Sequence, residues 1–409
     1  MQACQAQPAA PTVELQPVRD EVPARSVAMG AMTAYSFASA MLIGACSSAV
    51  TPLYRLYQQS MHLTPFWITI VFASYVVSLL AALLTVGGLS DYIGRRPVIL
   101  ASLLANAAAM LIFAEASGVG QLIAARMVQG LSVGIGTTAF GAAILDTSRT
   151  RGPLLNSVTA FLGLTAGALG TAVLMLAPDP LHVVYDVLLG LTLLMLVLLW
   201  FMPESCIPKD GAWASLRPQV AVPLQSKTVL ARLTPANVAA WALGGFYLSL
   251  IPTVVATAMH VASPFIGGIA VSALMLTAAI AVAAFRNWPT RRLVLIGTST
   301  LPIGVAVSMA GIQQQQLAAL LAGTMIAGAG FGTTFSGIMR AVLPTAHAHE
   351  RAGLLSAFYL QSYLAFAVPA VAAGLSVPLI GLSAVAYVYG AAIIVLAIIS
   401  WAASLMAER

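Results

Sequence analysis

The stretch "GGLSDYIGRRPVIL", Gly87–Leu100, sets one acid, two adjacent arginines and three glycines between long runs almost free of charge. Its surroundings decide how to read it. Of the 409 residues only 7% are charged and 60% are hydrophobic, whereas a soluble domain carries about 25% charged residues. Such a chain has too few polar side chains to coat a water-facing surface, so its apolar runs are expected to cross a bilayer. The charged knot is then a loop between two membrane helices. Cys4, Cys46 and Cys206 lack metal-ligand spacing and imply no disulfide framework. Residues 1–26 are polar and proline-bearing and are expected to form a cytoplasmic tail; a cleaved signal peptide places its apolar stretch nearer the start.

A bilayer-crossing helix needs about 20 mostly apolar residues. Spans are expected near 27–54, 65–86, 98–115, 121–146, 154–177 and 183–202. After a polar stretch, 203–233, come others near 234–258, 263–285, 293–311, 317–343, 353–376 and 380–404. The expected fold is an all-α polytopic membrane protein: twelve transmembrane helices in two six-helix bundles, 27–202 and 234–409, joined by the 203–233 linker. Helices satisfy every backbone polar group within the segment, as lipid demands.

The basic residues give an orientation. With both termini cytoplasmic, 16 of the 18 Lys and Arg lie on the cytoplasmic side; Arg55 alone falls in an outer loop and Arg126 alone within a span. That bias follows the positive-inside rule. It accounts for the net charge of +6 through an anionic membrane face, with no need of nucleic acid. A monomer in a bacterial cytoplasmic (inner) membrane is the expected setting, given the alanine-rich spans and compact loops.

The two halves also share sequence. "GIGTTAFG" at 134–141 matches "GFGTTFSG" at 330–337, an offset of 196 that also carries Arg95 and Arg96 onto Arg291 and Arg292. Six spans per half make this a parallel repeat, whose pseudo-two-fold axis runs along the membrane normal and leaves a cavity between the halves. The repeated small residues let helices approach closely.

The knot itself reads Gly87-x-Leu89-x-Asp91-x-x-Gly94-Arg95-Arg96. This resembles the signature loop of the major facilitator superfamily, with Tyr92 where that family is often basic. The resemblance implies a transporter with a latch. Asp91 is expected to approach the positive end of the eleventh helix, around Ala352–Leu354. Arg95 is expected to pair with an acid at the inner end of the fourth helix, where Asp146 stands. Gly87, Asp91, Gly94, Arg95, Arg96 and Asp146 are therefore the candidate gating latch. The second-half counterpart, "RNWPTRRLVL", keeps Arg291 and Arg292 but neither the acid nor the glycines, so the latch is expected in the first half alone.

"ARMVQG", 125–130, resembles a second motif of the family through Arg126, Gln129 and Gly130, which implies proton coupling or substrate binding. Arg126 and Gln129 share a helical face. A charge inside a span is costly and faces a cavity or a partner; snorkelling to the outer headgroups is the alternative. Glu115 and Asp186, near the outer ends of the third and sixth spans, are the titrating candidates, with a plain rim role as the alternative. "GLTAGALGTA", 163–172, keeps Gly163, Gly167 and Gly170 of a glycine-rich antiporter stretch but has Ala168 where that stretch has proline, which weakens the efflux assignment.

Tyr35, Ser36, Asn106, Asn156, Tyr247, Tyr359, Gln361 and Tyr363, with Gln129, are the candidate cavity residues. Tyr359 and Tyr363 lie four apart on one helical face, fit for an aromatic wall or for ordinary packing. Pro52, Gly244, Gly245 and Pro252 mark helices able to bend. A cavity with one basic group suits a small neutral, amphipathic or weakly acidic molecule. The leading reading is a secondary transporter that exports such a solute with protons as coupling ion. Import or facilitated diffusion is one alternative, and a non-transporting receptor or scaffold another. No enzyme, cofactor or metal centre is expected, since His347 and His349 have no clear third ligand. No phosphate-binding Gly-x-x-x-x-Gly-Lys-Ser/Thr loop supports an ATP-driven pump.

Overall fold

The computed structural model describes residues 21–260, 263–347 and 349–406. Most of the expected 1–26 tail, and Arg409, lie outside them. Among the described residues, eleven helices are long and apolar enough to cross a membrane, and a bent pair taken as one makes the twelfth span. In the first half these are α1 (Glu21–Ser60), α2 (Pro65–Val86), α3 (Arg95–Ala114), α4 (Val119–Thr147), α5 (Gly152–Leu174) and α6 (Pro180–Leu199). In the second half they are α7 (Leu224–Ser249, continued as Ile251–Ala258), α8 (Pro264–Ala284), α9 (Thr290–Gln313), α10 (Leu317–Val342), α11 (Arg351–Ile380) and α12 (Leu382–Met406). Two single-turn helices, Ser90–Ile93 and Ala212–Ser215, sit in the connections. α7 starts inside the stretch expected to be linker, so the linker is shorter than its polarity suggests.

The break in α7 has a chemical cause. Pro252 has no N–H, so the Leu248 carbonyl one turn earlier loses its helical donor. The chain bends by 60° there. The Thr51 hydroxyl of α1 takes up the freed carbonyl at 2.9 Å, in a buried bond between the halves. Thr51→Val keeps the side-chain shape and leaves that carbonyl unsatisfied, a loss of about 1–3 kcal/mol. Thermal unfolding in detergent should show the loss for Thr51→Val and little change for Thr51→Ser. Equal stability of all three proteins would deny the bond any role.

The halves meet along two seams, α2 against α11 and α5 against α8. Shifting each helix by six exchanges one seam for the other, as a pseudo-two-fold requires. The glycine packing repeats as well, in a register the sequence match does not give. Gly130 and Gly134 of α4 lie against the Tyr75 and Leu79 carbonyls of α2. In the second half it is Gly328 and Gly332 of α10 that lie against the Leu274 and Ala278 carbonyls of α8. The packing offset in this helix is thus two residues longer than that of the matching letters.

Several close approaches between the halves cluster at the end opposite the start of α1 and the end of α12. Beside the Thr51 bond, Thr253 Oγ1 donates to Gln58 Oε1 at 3.3 Å. A Cβ on Gly374 of α11 would fall on the Thr69 side chain of α2. A Cβ on Gly268 of α8 would fall 2.7 Å from Ala172 Cβ of α5. This end of the molecule is closed.

Candidate functional site

The loop from α2 to α3 builds a compact charged site. Gly94 turns the chain at φ 98°, a region that favours glycine. The turn starts α3 at Arg95 and brings its side chain back over the loop. Arg95 Nε donates to Asp146 Oδ2 at 3.0 Å, and Nη1 donates to Asp91 Oδ1 at 2.5 Å and Ser90 Oγ at 2.7 Å. The arginine side chain is only 7% exposed, against 52% for Asp91. Buried guanidinium with two carboxylates is the arrangement in which a charge can leave water without large cost. Arg96 points the other way, its Nη2 donating to the Leu199 and Trp200 carbonyls at 3.3 Å, where α6 ends. Gly87 begins the turn, close enough to Thr138 of α4 that a Cβ would touch its methyl at 3.5 Å.

A residue absent from the sequence-based set holds this site together. Glu204, just after α6, accepts the Arg95 N–H at 2.9 Å through Oε1 and the Arg96 N–H at 3.0 Å through Oε2. It also accepts the N–H groups of Ser205 and Cys206, at 2.9 and 3.1 Å. A helix start has free N–H groups and a partial positive charge, and a carboxylate satisfies both. The usable signal was an acid directly following a span, in "MPESC". A Cβ at Gly94 would lie 2.7 Å from Glu204 Oε2, so the glycine also makes room for the cap.

The expected approach of Asp91 to the first turn of α11 is not made in this conformer, where its carboxylate is bound to Arg95. The first turn of α11 meets the linker instead, the Ala221 N–H donating to the Gly353 carbonyl at 3.2 Å.

Arg126 is 2% exposed and does not snorkel. Its Nη1 donates to the Ser47 carbonyl at 2.9 Å and to Gln129 Oε1 at 2.8 Å, and its Nη2 to the Tyr54 hydroxyl. Gln129 in turn donates to the Cys46 carbonyl at 2.9 Å. The guanidinium lies over the Tyr54 and Tyr75 rings, 5.5 and 5.4 Å from their centroids. Its Nε has no partner, and among the described residues no carboxylate lies within ion-pair distance. α1, α2 and α4 thus enclose a cation held by neutral oxygens and π faces alone.

The other candidates fall into three places. Tyr35 ties α1 to α6 by donating to the Met195 carbonyl at 2.9 Å, and Asn106 is fully buried, donating to Cys46 Sγ and Thr192 Oγ1. Ser36 is buried in α1 with an unpartnered hydroxyl, while Asn156 is exposed beside Gly141. Tyr247 shares a 2.6 Å hydrogen bond with Thr324 inside the second half. Tyr359, Gln361 and Tyr363 line one stretch of α11, where Gln361 Nε2 donates to Thr234 Oγ1 of α7 at 2.8 Å and the two tyrosine rings sit 6.3 Å apart. Glu115 and Asp186 are exposed at their helix ends. Nearby, His182 Nδ1 lies 2.8 Å from Asp179 Oδ2, and this contact holds the Asp179 carboxyl below its usual range.

Residues 36–290, more than half the chain, match the sequence profile described as Major Facilitator Superfamily. The chain belongs to the Major Facilitator Superfamily. As a member of that superfamily it is a transporter and not an enzyme. Solved structures share the fold. A mutant form of the nucleoside transporter NupG superposes with TM-score 0.72 at 12% identity, over 92% of this chain and 99% of that one. The xylose transporter XylE from E. coli, partially occluded and inward-open, gives 0.69 at 13%, over 92% and 98%. The human organic anion transporter MFSD10 gives 0.63 at 18%, over 91% and 99%. Identities this low carry the fold alone. No curated protein matches the sequence.

Proposed function

We propose that this superfamily member works by alternating access, its two bundles rocking about the seams, and exports a small neutral or amphipathic solute in exchange for protons. The observation that carries the rocking is the exchange-related pair of seams, α2 with α11 and α5 with α8. Their far-end contacts are neutral hydrogen bonds and glycine approaches, which part at modest cost. If the basic face is cytoplasmic, the closed end is the outer one and the Arg95 site faces the cytoplasm, with the start of α1 and the end of α12. On closing that side, Asp91 would exchange Arg95 for the first turn of α11. Arg126 is the contact for coupling or cargo, because a buried cation without an acid is costly to keep for packing alone.

A second reading, facilitated diffusion or import, is favoured by the exposure of Glu115 and Asp186. Neither is placed to carry a proton past Arg126. The two readings part in proteoliposomes loaded with labelled solutes of the kinds named for the structural neighbours: a nucleoside, xylose and an organic anion. The export reading expects saturable flux that an opposed pH gradient raises about tenfold and a protonophore abolishes. Saturable flux indifferent to the gradient favours the second reading. Binding without flux of any of them favours a receptor.

A further inference from the structure

The junction of the halves holds an aromatic cluster that the latch and the Arg126 network do not use. Trp241 of α7 packs against Tyr363 and Phe366 of α11, with ring centroids 4.9 and 5.9 Å apart, and against Phe331 and Phe335 of α10, at 6.5 and 6.4 Å. Phe161, from α5 of the other half, meets the same two phenylalanines at 5.5 and 5.8 Å. These contacts are all edge-to-face, with interplanar angles from 63° to 90°. Parting Phe161 from its partners therefore bares ring faces, onto which a flat guest can stack.

Two polar atoms beside these rings have no partner. Trp241 Nε1 is a buried donor without an acceptor. Asn237, one turn earlier on the same face of α7, is 1% exposed; its Nδ2 donates to Ser362 at 2.9 Å, but its Oδ1 accepts from nothing described. Buried polar groups are nearly always paired, so a donor and an acceptor both unpaired at one junction call for an explanation. The charge of a guest is constrained too. Phe72 of α2 packs on Phe366 at 4.9 Å, and three residues along α2 the Tyr75 ring carries the Arg126 guanidinium. That uncompensated positive charge opposes a cation, and the rings themselves offer nothing to hold an anion.

We propose that the Trp241 cage is the cargo site, and that its cargo is an uncharged planar heteroaromatic molecule whose ring edge accepts a hydrogen bond from Trp241 Nε1 and donates one to Asn237 Oδ1. The inference rests on the transport reading only for the word cargo; the binding stands or falls alone. The probes are quinazolin-4-one and hypoxanthine, which carry both edge groups, naphthalene, which matches their shape with neither, and xylose, which has no ring face to stack. Binding to the purified full-length protein in detergent is measured by equilibrium dialysis. The native protein should bind at least one of the heteroaromatics at least tenfold more tightly than naphthalene, and xylose not at all. Trp241→Phe keeps a ring and removes the donor, and should weaken heteroaromatic binding about tenfold with no effect on naphthalene. Naphthalene bound equally well, heteroaromatics unaffected by Trp241→Phe, or no heteroaromatic bound at all would each overturn the proposal. The comparison among probes needs no variant, so it stands even if Trp241→Phe folds poorly. Solute flux without heteroaromatic binding retires the cage and keeps the transport reading. Binding without flux keeps the site and retires that reading.

Discussion

Arg126→Met should leave the protein as stable as before, or more so, and lower solute flux at least ~100-fold. The sign follows from magnitudes. A buried charge costs several kcal/mol in desolvation, and Arg126 has no carboxylate to return it, only neutral acceptors at Ser47, Gln129 and Tyr54 and two aromatic faces. A neutral side chain of similar length removes the desolvation cost of several kcal/mol, which offsets the roughly 1–3 kcal/mol for each acceptor it leaves unpaired at Ser47, Gln129 and Tyr54. Losing about two orders of magnitude in rate corresponds to ~2.7 kcal/mol withdrawn from the rate-limiting step. Thermal unfolding and proteoliposome flux, read side by side, make the check. A variant destabilised by about 3–5 kcal/mol that still transports normally would make Arg126 a structural residue.

Glu204→Ala should be among the most damaging substitutions outside the spans, at about 2–4 kcal/mol. The carboxylate accepts four N–H groups, two of them opening α3, and hydrogen bonds to a charged acceptor are worth about 1.5–3 kcal/mol each before water replaces some of them. Without the cap the first turn of α3 frays. Arg95 then loses the backbone that aims it at Asp91 and Asp146, so flux should fall along with stability. Glu204→Gln keeps one acceptor and should lose about half as much. Hydrogen exchange at the Arg95 and Arg96 amides, with thermal unfolding, reports both effects. Unchanged exchange in Glu204→Ala would mean that the cap does not hold the helix.

The features legible in the sequence are those with strong local signals. Twelve apolar runs fix twelve spans, because length and hydropathy alone decide whether a helix crosses a bilayer. Arg95 and Asp146, 51 residues apart, were paired through the family pattern and do meet. The bend in α7 was marked by Pro252. Tertiary choices were less legible. Glu204 looked like one more polar residue after a span, since nothing local says that it reaches back to the start of α3. Trp241 is an ordinary aromatic in an apolar run until α5, α10 and α11 close around it. The glycine register differs from the letter match because packing depends on which face meets the partner helix: Gly130 and Gly134 correspond in their contacts to Gly328 and Gly332. Tyr35, Asn106 and Tyr247 looked like cavity residues by polarity; the structure spends that polarity on bonds within single halves.

Alternating access requires the halves to part at the end now closed. Thr69 of α2 and Gly374 of α11 touch there, so the decisive measurement joins them. In a protein with Cys4, Cys46 and Cys206 replaced by Ser, Thr69→Cys and Gly374→Cys are oxidised to a disulfide, and flux is followed before and after reduction. Alternating access predicts that the cross-linked protein stops transporting and recovers when reduced. Undiminished flux through fully cross-linked protein would contradict alternating access.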